Sequence, residues 1–147
     1  MAEKPSFRQA LKTRRCLIPA DGFYEWAILA ETKNKLPLYF LNKSKAVFAF
    51  AGLWETWTSP NGEGINSVTI ITIEPNALVR KFHLRMPVIL PPNEYMNWLT
   101  LAAKKPDEYQ TMLMPYPEDK MDCYPVSPIV NSAQNESPEM VVPFMKK

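Results

Sequence analysis

Four runs of the chain, residues 23–29, 38–41, 46–54 and 68–73, are rich in aromatic and β-branched side chains and are separated by polar turn residues. Such side chains fit a pleated, half-buried surface, so the spacing predicts a mainly β organisation. Runs this close in sequence favour antiparallel pairing. The third run is apolar on both faces, as a central strand is, and Thr58-Ser59-Pro60-Asn61-Gly62-Glu63-Gly64 reads as a hairpin loop leading into the fourth.

Short helices are expected around this β centre. Ser6 followed by Gln9 fits a capping box with Pro5 just outside it, predicting a helix from Phe7 to about Thr13. Residues 75–82 read as a short helix or turn, 86–90 as a strand, 93–99 as a helix capped by Asn93, and 107–113 as a further helix. Prolines 91, 92, 115 and 117 punctuate these pieces. The tail, 126–143, is rich in Ser, Asn and Pro and reads as loop, with 124–130 able to pair at a sheet edge. The fold class expected is α+β, a mostly antiparallel or mixed sheet with short peripheral helices. At 147 residues and 46% hydrophobic content, one core and a single domain over 1–147 suffice.

Charge and cysteine usage exclude several classes. Seventeen basic against fifteen acidic residues give +2, too little for bulk charge to indicate a nucleic-acid partner, although a local patch remains open. Only Cys16 and Cys123 are present, at no metal-ligand spacing, so zinc is not expected and the chain calls for no cofactor. Free thiols without a secretory leader point to the cytoplasm, and both cysteines read as packing thiols. No run approaches the ~18 to 20 apolar residues of a membrane span, so no membrane partner is expected.

The chemistry-bearing residues cluster in two places. Arg15-Cys16-Leu17-Ile18-Pro19-Ala20-Asp21-Gly22-Phe23-Tyr24-Glu25-Trp26 sets one carboxylate among aromatics, and His83-Leu84-Arg85-Met86-Pro87 holds the sole histidine. On a strand, Glu25 shares a face with Phe23 and Ala27 while Tyr24 and Trp26 point the other way. With Tyr24 and Trp26 inside, Glu25 is a solvated strand residue. With Phe23 facing a partly dry cleft, desolvation raises the Glu25 pKa and suits it to proton transfer near neutral pH.

His83 reads either as a satisfied structural imidazole or as a second acid–base group. Thr72 ends the Val68-Ile70-Thr72 face of a strand, either as an ordinary strand residue or as a support for a side chain or phosphate. Arg85 is either a solvated cation or a bidentate phosphate donor. Lys4, Arg8, Lys12 and Arg15 recur about every four residues and would form one basic face if a helix ran through all of them.

Together, residues 15–26, Phe50-Ala51-Gly52-Leu53-Trp54-Glu55, Thr69-Ile70-Ile71-Thr72 and His83-Leu84-Arg85-Met86-Pro87-Val88-Ile89-Leu90 resemble the SOS response-associated peptidase family, the SRAP domain. The resemblance runs over about residues 3–143, and Val126-Ser127-Pro128-Ile129-Val130-Asn131 is similar to the family's closing strand and loop. It implies a barrel-like, mostly β fold with a basic groove for single-stranded DNA carrying abasic sites. It also implies capture of the ring-opened sugar by the thiol and α-amine of an N-terminal Cys, with peptidase-type self-processing and lyase activity in the family.

Carried onto this sequence, the resemblance makes Glu25 and His83 the catalytic acid–base residues, Thr72 a support, and Arg85, with Lys4 and Arg8, the DNA and phosphate contacts. Leu84 stands where many members carry an acidic residue. The start Met1-Ala2-Glu3-Lys4 matches a point inside the family's sequence. The expectation is therefore the C-terminal two-thirds or so of the usual domain, without the nucleophilic Cys and without covalent capture. Uncovered sheet edges would then favour a homodimer. The competing reading is a non-catalytic module that binds single-stranded nucleic acid through phosphates and stacked aromatics, and a third is a structural protein-interaction domain.

Overall fold

A computed structural model describes residues 5–28, 35–100 and 106–144, and within them the longer strand-forming runs pair antiparallel. The elements run α1 (Pro5–Thr13), β1 (Arg15–Ala20), β2 (Gly22–Ile28), β3 (Lys35–Asn42), β4 (Phe48–Thr58), β5 (Gly64–Ile70), β6 (Thr72–Ile73) and α2 (Ala77–Arg80). They continue with β7 (Met86–Pro87), β8 (Ile89–Leu90), α3 (Tyr95–Leu99), α4 (Pro106–Met112) and β9 (Met121–Pro125). Short 3-10 turns lie at Pro92–Glu94, Glu118–Lys120, Pro128–Asn131 and Pro138–Val141. The α+β class is as expected, but the described strands form open sheets and close no barrel.

The chain divides into two compact units. The first comprises Met1–Ala20, Phe48–Ile73 and Pro87–Tyr116. Its sheet has the order β1-β4-β5, with β8 also paired to β4. As its two-sided apolar pattern predicts, β4 is central: residues 48–53 are buried and 54–58 exposed. β1 begins four residues ahead of Pro19, where the sequence shows no strand signal. Pro19 is tolerated because β1 pairs on one side only, with β4 among the described residues. The hairpin loop forms as predicted, with Ser59 N–H donating to Glu63 O and Gly62 taking a left-handed φ of 84°.

Two expected strands are each split by one residue. Val88 N–H donates to Ile71 O, Ile71 N–H to Ala51 O, and Ala51 N–H to Val88 O, each at 2.9 Å. This three-way closure among buried residues divides 68–73 into β5 and β6 and 86–90 into β7 and β8. Two helix starts also shift. α1 begins at Pro5 rather than after Ser6, using the preset φ of proline. Consecutive prolines tighten residues 92–94 into a 3-10 turn, so that α3 starts at Tyr95 and Asn93 does not cap it.

Arg15 departs most from expectation. It is not the end of a basic face but a buried residue, 5% exposed, at the start of β1. Its Nε donates to Trp98 O at 2.5 Å, and its Nη1 to Leu11 O at 2.5 Å, to Lys12 O at 2.8 Å and to the Tyr109 hydroxyl at 3.2 Å. Nη2 donates to Thr100 O, and the guanidinium lies 5.8 Å and 5.3 Å from the Trp98 and Tyr109 ring centres. One cation thereby ties α1, α3 and α4 to β1, around a core of Leu11, Ala51, Leu53, Ile71, Val88, Leu90 and Trp98. Lys12 is exposed, and Lys4 lies outside the described residues. Arg8 falls on α1, but its side chain is outside what the structure describes.

The second unit comprises Asp21–Val47, Glu74–Met86 and Pro117–Lys147, with a sheet of order β2-β3-β9. Aromatics cover both of its faces. Tyr24, Tyr39 and Tyr124 align across the strands, at 5.2 Å and 5.9 Å between successive ring centres, over Val126, Val130 and Val141. On the other face Phe23 stacks on Phe40 at 5.2 Å, and Phe40 meets the edge of Phe82 at 6.0 Å.

Replacing Arg15 by Met should leave the Leu11, Trp98 and Thr100 carbonyls without this donor. We expect a loss on the order of 3 kcal/mol in urea denaturation. A loss under 1 kcal/mol would contradict the bracing role.

Candidate active site

Glu25 lies midway along β2, opposite Leu38, on the face that carries Phe23 over Phe40. Its side chain is only 17% exposed. Tyr24 is half-buried on the opposite face, so the choice posed by the sequence, one covered face or the other, is resolved by a sheet covered on both. Burial pushes the Glu25 carboxyl above its ordinary range, and the nearby His83 offsets part of that rise.

His83 arrives through a tight turn. Asn76 Oδ1 accepts from Val79 N–H at 3.0 Å and caps α2. The Val79 carbonyl then accepts from both Phe82 and His83 N–H at 2.9 Å, setting those side chains next to one another. The His83 Nδ1 lies 3.3 Å from Glu25 Oε1 and 2.9 Å from the Arg85 carbonyl, with Arg85 N–H 3.3 Å away. A carbonyl only accepts, so the shortest of these contacts places a hydrogen on Nδ1. In the neutral ring Nε2 is then the acceptor, able to take up and return a proton.

These two groups line a cavity of about 380 Å³ with Trp26, Ile28, Lys35, Phe82 and Asn131. It sits at the edge strand β2, near the Ile28↔Lys35 end of the hairpin, which is why residues of both strand faces reach it. A carboxyl of raised pKa beside an imidazole gives the cavity two proton-transfer groups, and Lys35 adds a cation.

Of the residues singled out in the sequence, the structure brings Glu25 and His83 together. Arg85 is exposed, and its backbone carbonyl orients the imidazole. Thr72 is half-buried on β6, in the first unit, and is not among the residues that line this cavity. Leu84 is 82% exposed. Burial raises the pKa of both Cys16 and Cys123, which keeps the thiols protonated. Sequence reasoning passed over Trp26, Lys35, Phe82 and Asn131 as lining residues. The one available signal was the position of Asn131 at the end of the segment 126–131. Among the described residues, no group of His, Cys, Asp or Glu is placed to hold a metal ion, and no helix is long and apolar enough to cross a membrane.

Antiparallel open sheets and short helices define an α+β protein that carries a carboxyl–imidazole pair at a strand edge. The chain belongs to the SOS response associated peptidase (SRAP) family, whose family model matches residues 1–133. It is 48% identical over 141 residues to abasic site processing protein YoqW of Bacillus subtilis, covering 96% of this chain and 62% of that protein. It is 33% identical over 167 residues to abasic site processing protein HMCES of Rattus norvegicus, covering 96% of this chain and 47% of that one. A crystal structure of a protein from Bacteroides thetaiotaomicron superposes with a TM-score of 0.88 at 31% identity, over 98% of this chain and 62% of that one. The chain thus spans less than two thirds of the length of these relatives.

Glu25→Gln tests the desolvation of the carboxyl. A raised folded-state pKa means that the folded protein binds the proton more tightly than the unfolded chain. Stability is therefore lost as pH rises from the ordinary Glu pKa through the folded value. The variant, which carries no ionisable group there, should gain melting temperature relative to the parent as pH rises from 4 through 8. A difference that is flat with pH would remove this assignment.

Proposed function

We propose that the chain is a single SRAP domain that binds single-stranded DNA at abasic sites, with Glu25 and His83 as its acid–base pair. The observation that carries this reading is the 3.3 Å approach of His83 Nδ1 to a half-buried Glu25, whose pKa burial raises, at the edge of a cavity. An abasic deoxyribose reacts through its open-chain aldehyde, and ring opening and dehydration both move protons at the sugar oxygens. Glu25 supplies a proton to the departing oxygen, and His83 Nε2 takes up and returns one. The family's capture chemistry joins this carbon to a thiol and α-amine. An amine alone gives a hydrolysable Schiff base, whereas a neighbouring thiol closes a five-membered ring on the same carbon. Arg85, Lys4 and Arg8 contact phosphates and Thr72 supports the site. This work takes place in the cytoplasm, on the nucleoid after DNA damage.

Relatives named for abasic site processing support the substrate class. The chain should bind an abasic single-stranded oligonucleotide more tightly than an intact one. A form extended by the N-terminal segment of the Bacillus subtilis relative should give a heat-stable shift on a denaturing gel, slowed at least tenfold by Glu25→Gln. Salt-sensitive binding without abasic preference, and no covalent shift from either form, would leave a non-catalytic nucleic-acid-binding module instead.

β5 favours self-association as well. All seven of its residues are exposed, it pairs with β4 alone among the described residues, and it carries Ile65, Val68 and Ile70 without a charge or proline. Light scattering after size-exclusion chromatography should return a dimer, and Val68→Lys a monomer. A monomeric parent at micromolar concentration removes this part of the reading.

A further inference from the structure

Asn131 is a polar residue of the cavity to which neither the motifs nor the family resemblance gives a role. Its amide is held in one orientation. Trp26 Nε1 donates to Asn131 Oδ1 at 2.7 Å, and an indole N–H can only donate, so the carbonyl oxygen is the bonded atom. The NH2 group keeps two hydrogens, and among the described residues no acceptor takes them.

The segment that presents Asn131 is itself braced. Val130 N–H donates to Ser127 O at 3.2 Å, Ser132 N–H to Ile129 O at 3.4 Å, and Asn135 Nδ2 to the same Ile129 carbonyl at 2.6 Å. A short polar side chain on a braced turn, locked by an aromatic donor, gives up little conformational entropy when a ligand arrives. Across the cavity stand Glu25, His83 and Lys35. Besides the Glu25 carboxyl and the His83 imidazole, the cavity therefore offers donors: an ammonium and two amide hydrogens. That set suits a small ligand rich in oxygen acceptors, and about 380 Å³ falls within the size range of small-ligand pockets, ~300 to 1,000 Å³.

We propose that Asn131 is a substrate-binding residue that donates its amide hydrogens to oxygens of the abasic deoxyribose phosphate, with Trp26 as the positioning residue that fixes its orientation. This rests on the proposed abasic-site function and adds a recognition element to that same cavity. An intact nucleotide, with its base filling the space next to the sugar, cannot bring the sugar oxygens as close. The contact thus contributes to the preference for an abasic site as well as to affinity.

The test uses fluorescence anisotropy at fixed salt with two single-stranded oligonucleotides, one carrying a single tetrahydrofuran abasic analogue and the other intact. Asn131→Asp still accepts from Trp26 but has lost both donors. It should weaken abasic binding at least tenfold and intact binding less than threefold. Trp26→Phe removes the brace and leaves the amide, and should weaken abasic binding about threefold. Gln134→Glu adds the same charge three residues along and should leave the abasic preference unchanged.

If Asn131 only braces the wall, Asn131→Asp will bind like the parent and Trp26→Phe will carry the whole loss, which overturns the proposal. An equal loss of abasic preference with Gln134→Glu also overturns it, because the effect is then general charge. Should Asn131→Asp melt early, Asn131→Ala compared with Trp26→Phe isolates the donor contribution, and equal losses count against the proposal. A parent chain with no preference for the abasic oligonucleotide overturns the underlying function, and this inference with it. A parent that prefers it while Asn131→Asp is unaffected overturns this inference alone.

Discussion

The second unit depends on how closely β2 lies against β3 at Gly22. A Cβ placed there would come within 2.2 Å of Tyr39 Cζ and 2.5 Å of Phe40 O, so only glycine lets the tyrosine ring lie across the strand. With the ring there, the Tyr39 hydroxyl reaches Asp21 Oδ1 at 2.9 Å, and the register Phe23↔Phe40, Tyr24↔Tyr39, Glu25↔Leu38 follows. A slip of one residue would exchange the two faces of β2 and carry Glu25 to the tyrosine side. The location of the carboxyl is thus set by a steric constraint three residues before it.

That location decides its chemistry. Two effects act on Glu25 in opposite directions, burial raising its pKa and His83 lowering it, and burial is the larger. A carboxyl in the same strand but facing solvent would feel neither strongly. The imidazole is less covered, 47% exposed, and its orientation comes from backbone groups: the carbonyl of Arg85 and the turn set by Val79. Glu25 is therefore tuned by its surroundings, whereas His83 is aimed by them.

How much was legible beforehand varied with the range of the interaction responsible. The β runs, the loop at residues 59–63 and the short helices follow from local side-chain preference and turn chemistry, and their positions in the structure agree to within a few residues. Arg15 could not be read that way. Spacing placed it with Lys12 on a helix face, but its five acceptors come from residues 11, 12, 98, 100 and 109, and burial of a guanidinium is decided by such distant carbonyls. The breaks at Ile71 and Val88 likewise arise from hydrogen bonds to Ala51. Asn131 gave no local sign of its partner, because Trp26 lies 105 residues earlier.

The sequence by itself determined the secondary-structure class and the family and singled out Glu25 and His83, because strand propensity, turn residues and contiguous motifs are properties of neighbours along the chain. Only the tertiary structure decided that Glu25 is covered rather than solvated, that it meets His83, and that Trp26 and Asn131 close the same cavity. Desolvation and hydrogen-bond geometry depend on groups far apart in sequence, and only the folded register brings those groups within a few ångströms of one another.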